Sequence, residues 1–308
     1  MKTNEVILLV GLVAIGAMML FAAVLVAYSI YVLAYPQDCV GVIEVNGVIG
    51  TESSSGGLFG TPTIGSTDIV RQIEEAQSRS EVKAVVFEVN SPGGSVVASK
   101  EIYEATRELR KPKVSYFREV AASGGYYISA GSDYIVSEPD ALTGSIGVVS
   151  TFEDMSGLFN KLGINYTIFK SGELKDMGDP ARPPTEKEKQ IMQSIIDEIF
   201  QEFRNVVEEG RGDRLNKQKF EEVLDARVLT GRQAMSVGLV DELGNRDEAL
   251  KIAGRLANMS FTKEPPVCRM SSSNPFDQII SEMADGIAYS IRSLVNIEAG
   301  RRVGVSYT

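Results

Sequence analysis

Two glycine-bearing turns carry the residue types that could do chemistry: NSPGGS (Asn90–Ser95) and AASGGYYIS (Ala121–Ser129). In the first, paired glycines follow an apolar run directly. They let the backbone approach a ligand and free its amides, and an exposed amide at such a turn can hold a developing oxyanion. In the second, Ser123 sits among small residues at a predicted strand-to-helix junction, with the amide of Gly124 beside it at a helix N-terminus. That arrangement suits a nucleophile with one oxyanion donor. Each motif has a plainer reading when taken alone. Pro-Gly-Gly is usually just a turn, and a serine before a helix is usually a cap. NSPGGS contains neither G-x-x-x-x-G-K nor G-x-G-x-x-G, so it is a poor phosphate loop.

The chain has 308 residues, no His, no Trp, two Cys and a net charge of -10. Without histidine a Ser-His-Asp triad and a Cys-His protease are both impossible, and zinc sites that depend on His are excluded. A hydrolase base must then be Lys, Asp, Glu or a chain terminus. The acidic balance argues against a nucleic-acid partner, which would want a basic face. Cys39 and Cys268 do not make a disulfide framework, and their spacing leaves open whether they form one bridge.

The elements that must position these turns read as an α/β domain. VGVIEVNGVIG (Val40 to Gly50), KAVVFEV (Lys83 to Val89), KVSYF (Lys113 to Phe117) and YIVS (Tyr134 to Ser137) have strand patterns. Helices are expected from a Thr67 cap through Ile73, from Val96 to Leu109, and from the AASGG turn onward. Repeated strand–turn–helix order predicts a mainly parallel core. Residues Thr51 to Ser66 read as a loop, and INYTIFK (Ile164 to Lys170) as a further strand. A long helix is expected from Glu186 to about Glu209, with Ile191, Ile195, Ile199 and Phe203 as a core or subunit-packing stripe.

Before all this, Val6 to Tyr35 carries no charge, a run longer than the ~20 residues that span a bilayer. A cleaved signal peptide would have a shorter apolar core. Tyr28, Tyr31 and Tyr35 suit an interface, and Lys2 before the span favours an extracytoplasmic bulk. The expected division is an anchor at 1–39, a catalytic domain at 40–255, and a linker with an amphipathic segment at 256–308.

The two turns, each after a strand of one α/β unit, resemble those of the Clp protease and crotonase superfamily. NSPGGSV, AASGGYYIS, LTGSIGV (Leu142 to Val148), FKSGELKDMGDPARPPTEKEK (Phe169 to Lys189) and RVLTGRQAMSVGLVDELG (Arg227 to Gly244) stand in the order of the signal peptide peptidase A family. The resemblance covers about residues 40 to 255. It implies a Clp protease/crotonase-like core and a Ser–Lys dyad: Ser123 as nucleophile, Lys175 as general base, Ser145 orienting the lysine, and the amides of Gly94 and Gly124 as oxyanion hole. Lys170 is the rival base. No cofactor or metal is implied. The implied partners are hydrophobic peptides such as released signal peptides, the membrane, and further copies of the chain in a ring that completes the dyad between subunits. The alternatives weighed are a stomatin-associated Ser–Lys protease, an acyl-CoA enzyme and a non-catalytic membrane scaffold.

Overall fold

In a computed structural model, residues 11, 14–24, 37–54 and 62–270 are described. The expected membrane span lies mostly outside them. Its described part, residues 11 and 14–24, is helical and exposed. Among the described residues no helix is long and apolar enough to cross a membrane. The amphipathic pattern expected after residue 275 also lies outside the described residues.

The α/β expectation holds. The central sheet contains β1 (Cys39–Asn46), β4 (Val82–Ser91), β5 (Lys113–Ala122), β6 (Tyr134–Ser137), β9 (Glu242–Leu243) and β10 (Val267–Arg269). Their order is β10-β1-β4-β5-β6-β9, and every pairing along it is parallel. Side chains alternate between two apolar layers, as a sheet buried on both faces requires. Ile43, Val45, Phe87, Val89 and Phe117 enter one layer; Val42, Ala84, Val86 and Val114 enter the other. Helices α1 (Ser66–Ser78), α2 (Val96–Glu108) and α3 (Gly124–Ser129) cover the first face. The second is covered by α8 (Arg246–Leu256), through Ala249, Leu250 and Ala253.

Smaller elements complete the catalytic end. β2 (Val48–Gly50) pairs with β3 (Thr63–Gly65) in a parallel ribbon. β7 (Leu142–Gly144) extends the sheet along the end of β5, and β8 (Val228–Thr230) pairs antiparallel with β7. Beyond β7 the chain leaves the core as an arm. It includes α4 (Ser156–Lys161) and returns through α5 (Glu186–Arg211), which a Thr185–Glu188 capping box starts. After it come α6 (Lys217–Glu222) and α7 (Gly231–Val237).

Several expectations are corrected. Thr67 does not cap α1: the cap position is Gly65, without a side-chain bond, and the Thr67 hydroxyl donates to the Thr51 carbonyl (3.0 Å). INYTIFK is not a strand. It is exposed, unpaired chain on the arm, because a β-rich run with no sheet edge beside it has nothing to pair with. β5 runs on through Arg118 and Glu119, whose polarity hid its second half. The expected linker after Ser260 contains β10, and Cys39 and Cys268 are disulfide-bonded, fastening β10 to β1 (Cα–Cα 5.8 Å).

Candidate active site

The two turns lie at the carboxyl ends of neighbouring strands β4 and β5, the usual ligand end of a parallel sheet. Ser123 joins β5 to α3 with φ +52° and ψ -121°. A non-glycine residue rarely takes positive φ, and such a conformation costs about 1–3 kcal/mol unless its surroundings enforce it. Here they do. The Ser123 amide donates to the Gly144 carbonyl (2.9 Å), and its carbonyl accepts from Tyr126 and Tyr127 (2.9 Å each). Ser123 stands at the cap position, but its hydroxyl makes no capping bond. Nor does that hydroxyl have any other hydrogen-bond partner among the described residues. Between Ala121 and Ala130 it is the one residue not buried.

The first turn is folded against it. Ile49 accepts from Ser95 (2.8 Å) and donates to the Gly93 carbonyl (2.9 Å). That parallel bridge leaves the amide of Gly94 facing the other way, towards α3. Gly94 has φ +157°, and a Cβ there would sit 2.0 Å from the Ile49 carbonyl oxygen. A Cβ on Gly93 would sit 2.6 Å from the Gly124 nitrogen. Only paired glycines allow the turns to interlock so closely. The Gly124 amide, in the first turn of α3, has no intrahelical acceptor. Gly94 and Gly124 thus lie together beside a serine hydroxyl that is unpartnered among the described residues, lining the same cavity; amides so placed could serve a developing oxyanion.

Ser145 reaches the same place by register. Ala122 pairs with Gly144 across β5 and β7, so Ser123 and Ser145 are the next residues of adjacent strands. Ser145 also has positive φ (+49°), and its amide is held by the Arg227 carbonyl (3.0 Å). Gly94, Ser123, Gly124 and Ser145 line one cavity of about 220 Å³. Its other walls are largely apolar, from Val96, Tyr127, Val148, Ile199 and Phe203.

Lys175 is not among the residues lining the cavity. It lies on the arm, exposed, and its amine has no partner among the described residues. Its acidic neighbours are engaged elsewhere. Asp176 accepts from Lys170 (2.7 Å) and from Arg182 (2.8 Å), and Glu173 accepts from Lys187 (2.7 Å). Hydrogen bonds from Arg182, then from Lys170, hold the Asp176 carboxyl well below the usual carboxylate range. Lys170 donates both to Asp176 (2.7 Å) and to the Glu173 carbonyl (2.8 Å), so its amine is engaged within the arm.

One lysine does line the cavity and escaped notice in the sequence: Lys100 of α2, bonded to Glu202 of α5 at 2.5 Å. That bond raises its pKa, which keeps the amine protonated. The signal was present in the pattern. Val96, Ser99 and Lys100 follow i, i+3, i+4 spacing, and so do Ile199, Glu202 and Phe203. The Ile199 and Phe203 part of the α5 stripe serves the cavity.

A strained serine at a strand–helix elbow, with converging amides, on a parallel α/β core defines a Clp-protease-like serine hydrolase. The comparisons agree and are more specific. The model of the Clp protease family matches residues 63–137, and that of Peptidase family S49 matches residues 105–260, about half of the chain. The chain belongs to peptidase family S49, and its class is serine protease. It is 40% identical over 211 residues to the Enterococcus faecium protein named "Putative signal peptide peptidase SppA", covering 68% of this chain and 60% of that one. It is 33% identical to "Protease 4" of Salmonella typhi, over 80% of this chain and 40% of that one. It is 30% identical to "Serine protease SPPA, chloroplastic" of Arabidopsis thaliana, over 84% and 38%. The matched region thus spans less than two thirds of the length of these relatives.

Proposed function

We propose that the chain is a membrane-anchored serine endopeptidase with a Ser123–Lys175 dyad, which degrades hydrophobic peptides such as cleaved signal peptides. The observation that carries this reading is the unpartnered Ser123 hydroxyl, held in a strained elbow against the free amides of Gly94 and Gly124 above an apolar cavity. In this mechanism Ser123 Oγ attacks the peptide carbonyl while its proton passes to the neutral Lys175 amine, which Ser145 orients. The oxyanion rests on the Gly94 and Gly124 amides. Lys175 returns the proton to the leaving nitrogen, giving an acyl-enzyme that water hydrolyses by the reverse sequence.

Three observations favour Lys175 as base. Lys100 is paired with Glu202, Lys170 is paired with Asp176, and Lys175 alone of the three has no partner among the described residues. Lys175 lies exposed on the arm and does not line the Ser123 cavity of its own chain, which supports a dyad completed in a ring, with Lys175 of one subunit serving Ser123 of the next. Exposed apolar side chains on the arm, Val149 (87%) and Phe169 (93%) among them, are suited to burial against a second copy. A head-to-tail contact closes naturally into a ring. The charge-free run Val6 to Tyr35 would hold the ring at the bilayer where such peptides appear, with the catalytic domain outside the cytoplasm.

The test is a serine-directed fluorophosphonate applied to the full chain, followed by hydrolysis of apolar peptides. Labelling at Ser123, lost in Ser123→Ala, supports the reading. Hydrolysis that survives Ser123→Ala would overturn it.

A further inference from the structure

Two helices clasp the cavity beside Ser123. From α2 come Val96, Ser99 and Lys100; from α5 come Ile199, Glu202 and Phe203. In each case a single face of the helix lines the cavity, and each face carries one charge. The two charges meet, Lys100 Nζ to Glu202 Oε1 at 2.5 Å, and they are half-exposed (45% and 47%). They therefore stand at the lip of the cavity together with the exposed Val96 and Val149, while the buried Tyr127 and Phe203 form its interior, their ring centroids 5.0 Å apart and their planes tilted by 59°.

This placement bears on which substrate residue the cavity takes. If the scissile carbonyl oxygen rests on the Gly94 and Gly124 amides, the side chain of the residue that owns that carbonyl starts one bond from the reacting carbon. The cavity that Ser123, Gly94 and Gly124 line is the space open to it. About 220 Å³ is room for roughly seven waters at ~30 Å³ each, enough for a leucine or an aromatic ring.

We propose that the Lys100–Glu202 pair determines specificity: it keeps the lip of this cavity neutral and so reserves the cavity for uncharged side chains on the acyl side of the cut. This rests on Ser123 being the nucleophile. An apolar side chain enters along the methylene stem of Lys100 and leaves the pair intact. A lysine or glutamate must instead break the pair to find a partner, or leave its own charge unpaired at an apolar wall. The pair thus excludes both signs of charge by satisfying itself, and each member alone would attract a substrate of the opposite sign.

The experiment uses the full chain, wild type and variants, on peptides identical except for Leu, Lys or Glu at the acyl-side position. Lys100→Met leaves Glu202 unpaired at the lip, and the kcat/KM ratio of the Lys peptide to the Leu peptide rises about five- to tenfold, a modest factor because the lip is half in solvent. Glu202→Gln leaves Lys100 unpaired, and the Glu-to-Leu ratio rises similarly while the Lys-to-Leu ratio does not. The double variant returns both ratios towards wild type. Fluorophosphonate labelling of Ser123 in each protein reports a folded, live site independently of the peptides. Labelled variants whose three peptides change by one common factor overturn the specificity role alone. An absence of both labelling and cleavage in the wild type overturns this proposal together with the proposed function.

Discussion

The Ser123 elbow and the Lys175 arm belong to one chain but are built in opposite ways. From Ala121 to Ala130 every residue but Ser123 is buried; from Gly147 to Lys187 none is. The elbow is fixed by interlocked backbone, where an added Cβ would collide with main-chain atoms. The arm is fixed mainly by polar contacts with itself. Arg182 bridges Asp176 and Glu188, the Met155 amide donates to the Pro180 carbonyl (2.9 Å), and Phe152 packs on Gly178. The oxyanion site proposed at the elbow needs the first kind of construction, because its donors must not reorganise during reaction. The arm, proposed to meet a second copy of the chain, can be of the second kind.

The sharpest way to break this comparison is to remove one reactive group from each region. Ser123→Ala lowers peptide hydrolysis by ~10⁴-fold or more and leaves the melting temperature unchanged or raised, since the lost hydroxyl makes no hydrogen bond among the described residues. Lys175→Ala is as inactive, whereas Lys170→Ala keeps appreciable activity; the reverse pattern on one peptide would move the base to Lys170. Because an amine must lose its proton to act as a base, kcat/KM rises from neutral to alkaline pH. A flat profile would count against a lysine base.

Mixing sharpens the comparison further. Inactive Ser123→Ala and Lys175→Ala proteins, combined under conditions that exchange subunits, regain part of the wild-type activity, because some interfaces then carry both intact residues. Proven exchange with no recovered activity would place the dyad within one chain.

Smaller effects separate the two regions by stability. Cys39→Ser or Cys268→Ser releases β10 from β1 and destabilises the sheet by about 2–5 kcal/mol, read as a lower melting temperature than the oxidised protein. An equal melting temperature would mean the bridge adds nothing. Acid acts on the arm instead. Hydrogen bonds from Arg182 and from the Thr185 amide lower the Glu188 carboxyl to about 2, and Asp176 is lowered as well. Folded-state values below the unfolded ones mean that this stabilisation is complete above the ordinary carboxylate range. It fades as pH falls from about 4.5 towards 2. Pepsin in that range should therefore cut first between residues 149 and 185. First cuts in β4 or β5 would contradict the prediction.

Much of this was legible in the sequence, for local reasons. Parallel strands buried on both faces leave β-branched runs such as KAVVFEV, and turns that allow no Cβ leave glycine pairs, so the order of elements and the two glycine turns flanking Ser123 could be read directly, whereas the roles of Ser123, Gly94 and Gly124 came from the family resemblance. The absence of histidine by itself removed the Ser-His-Asp triad, the Cys-His protease and His-dependent zinc sites. What the tertiary structure decided depended on neighbours distant in sequence. Arg118 and Glu119 belong to a strand because β7 waits beside the end of β5. INYTIFK is not a strand because no sheet edge among the described residues pairs with it. Cys39 meets Cys268 because β10 returns to β1 across a separation of 229 residues. Lys100 became part of the cavity only when α5 brought Glu202 to it. A sequence specifies which residues can pair, but a contact exists only where the fold closes the distance between them, and that closure is a property of the packed sheet and its helices.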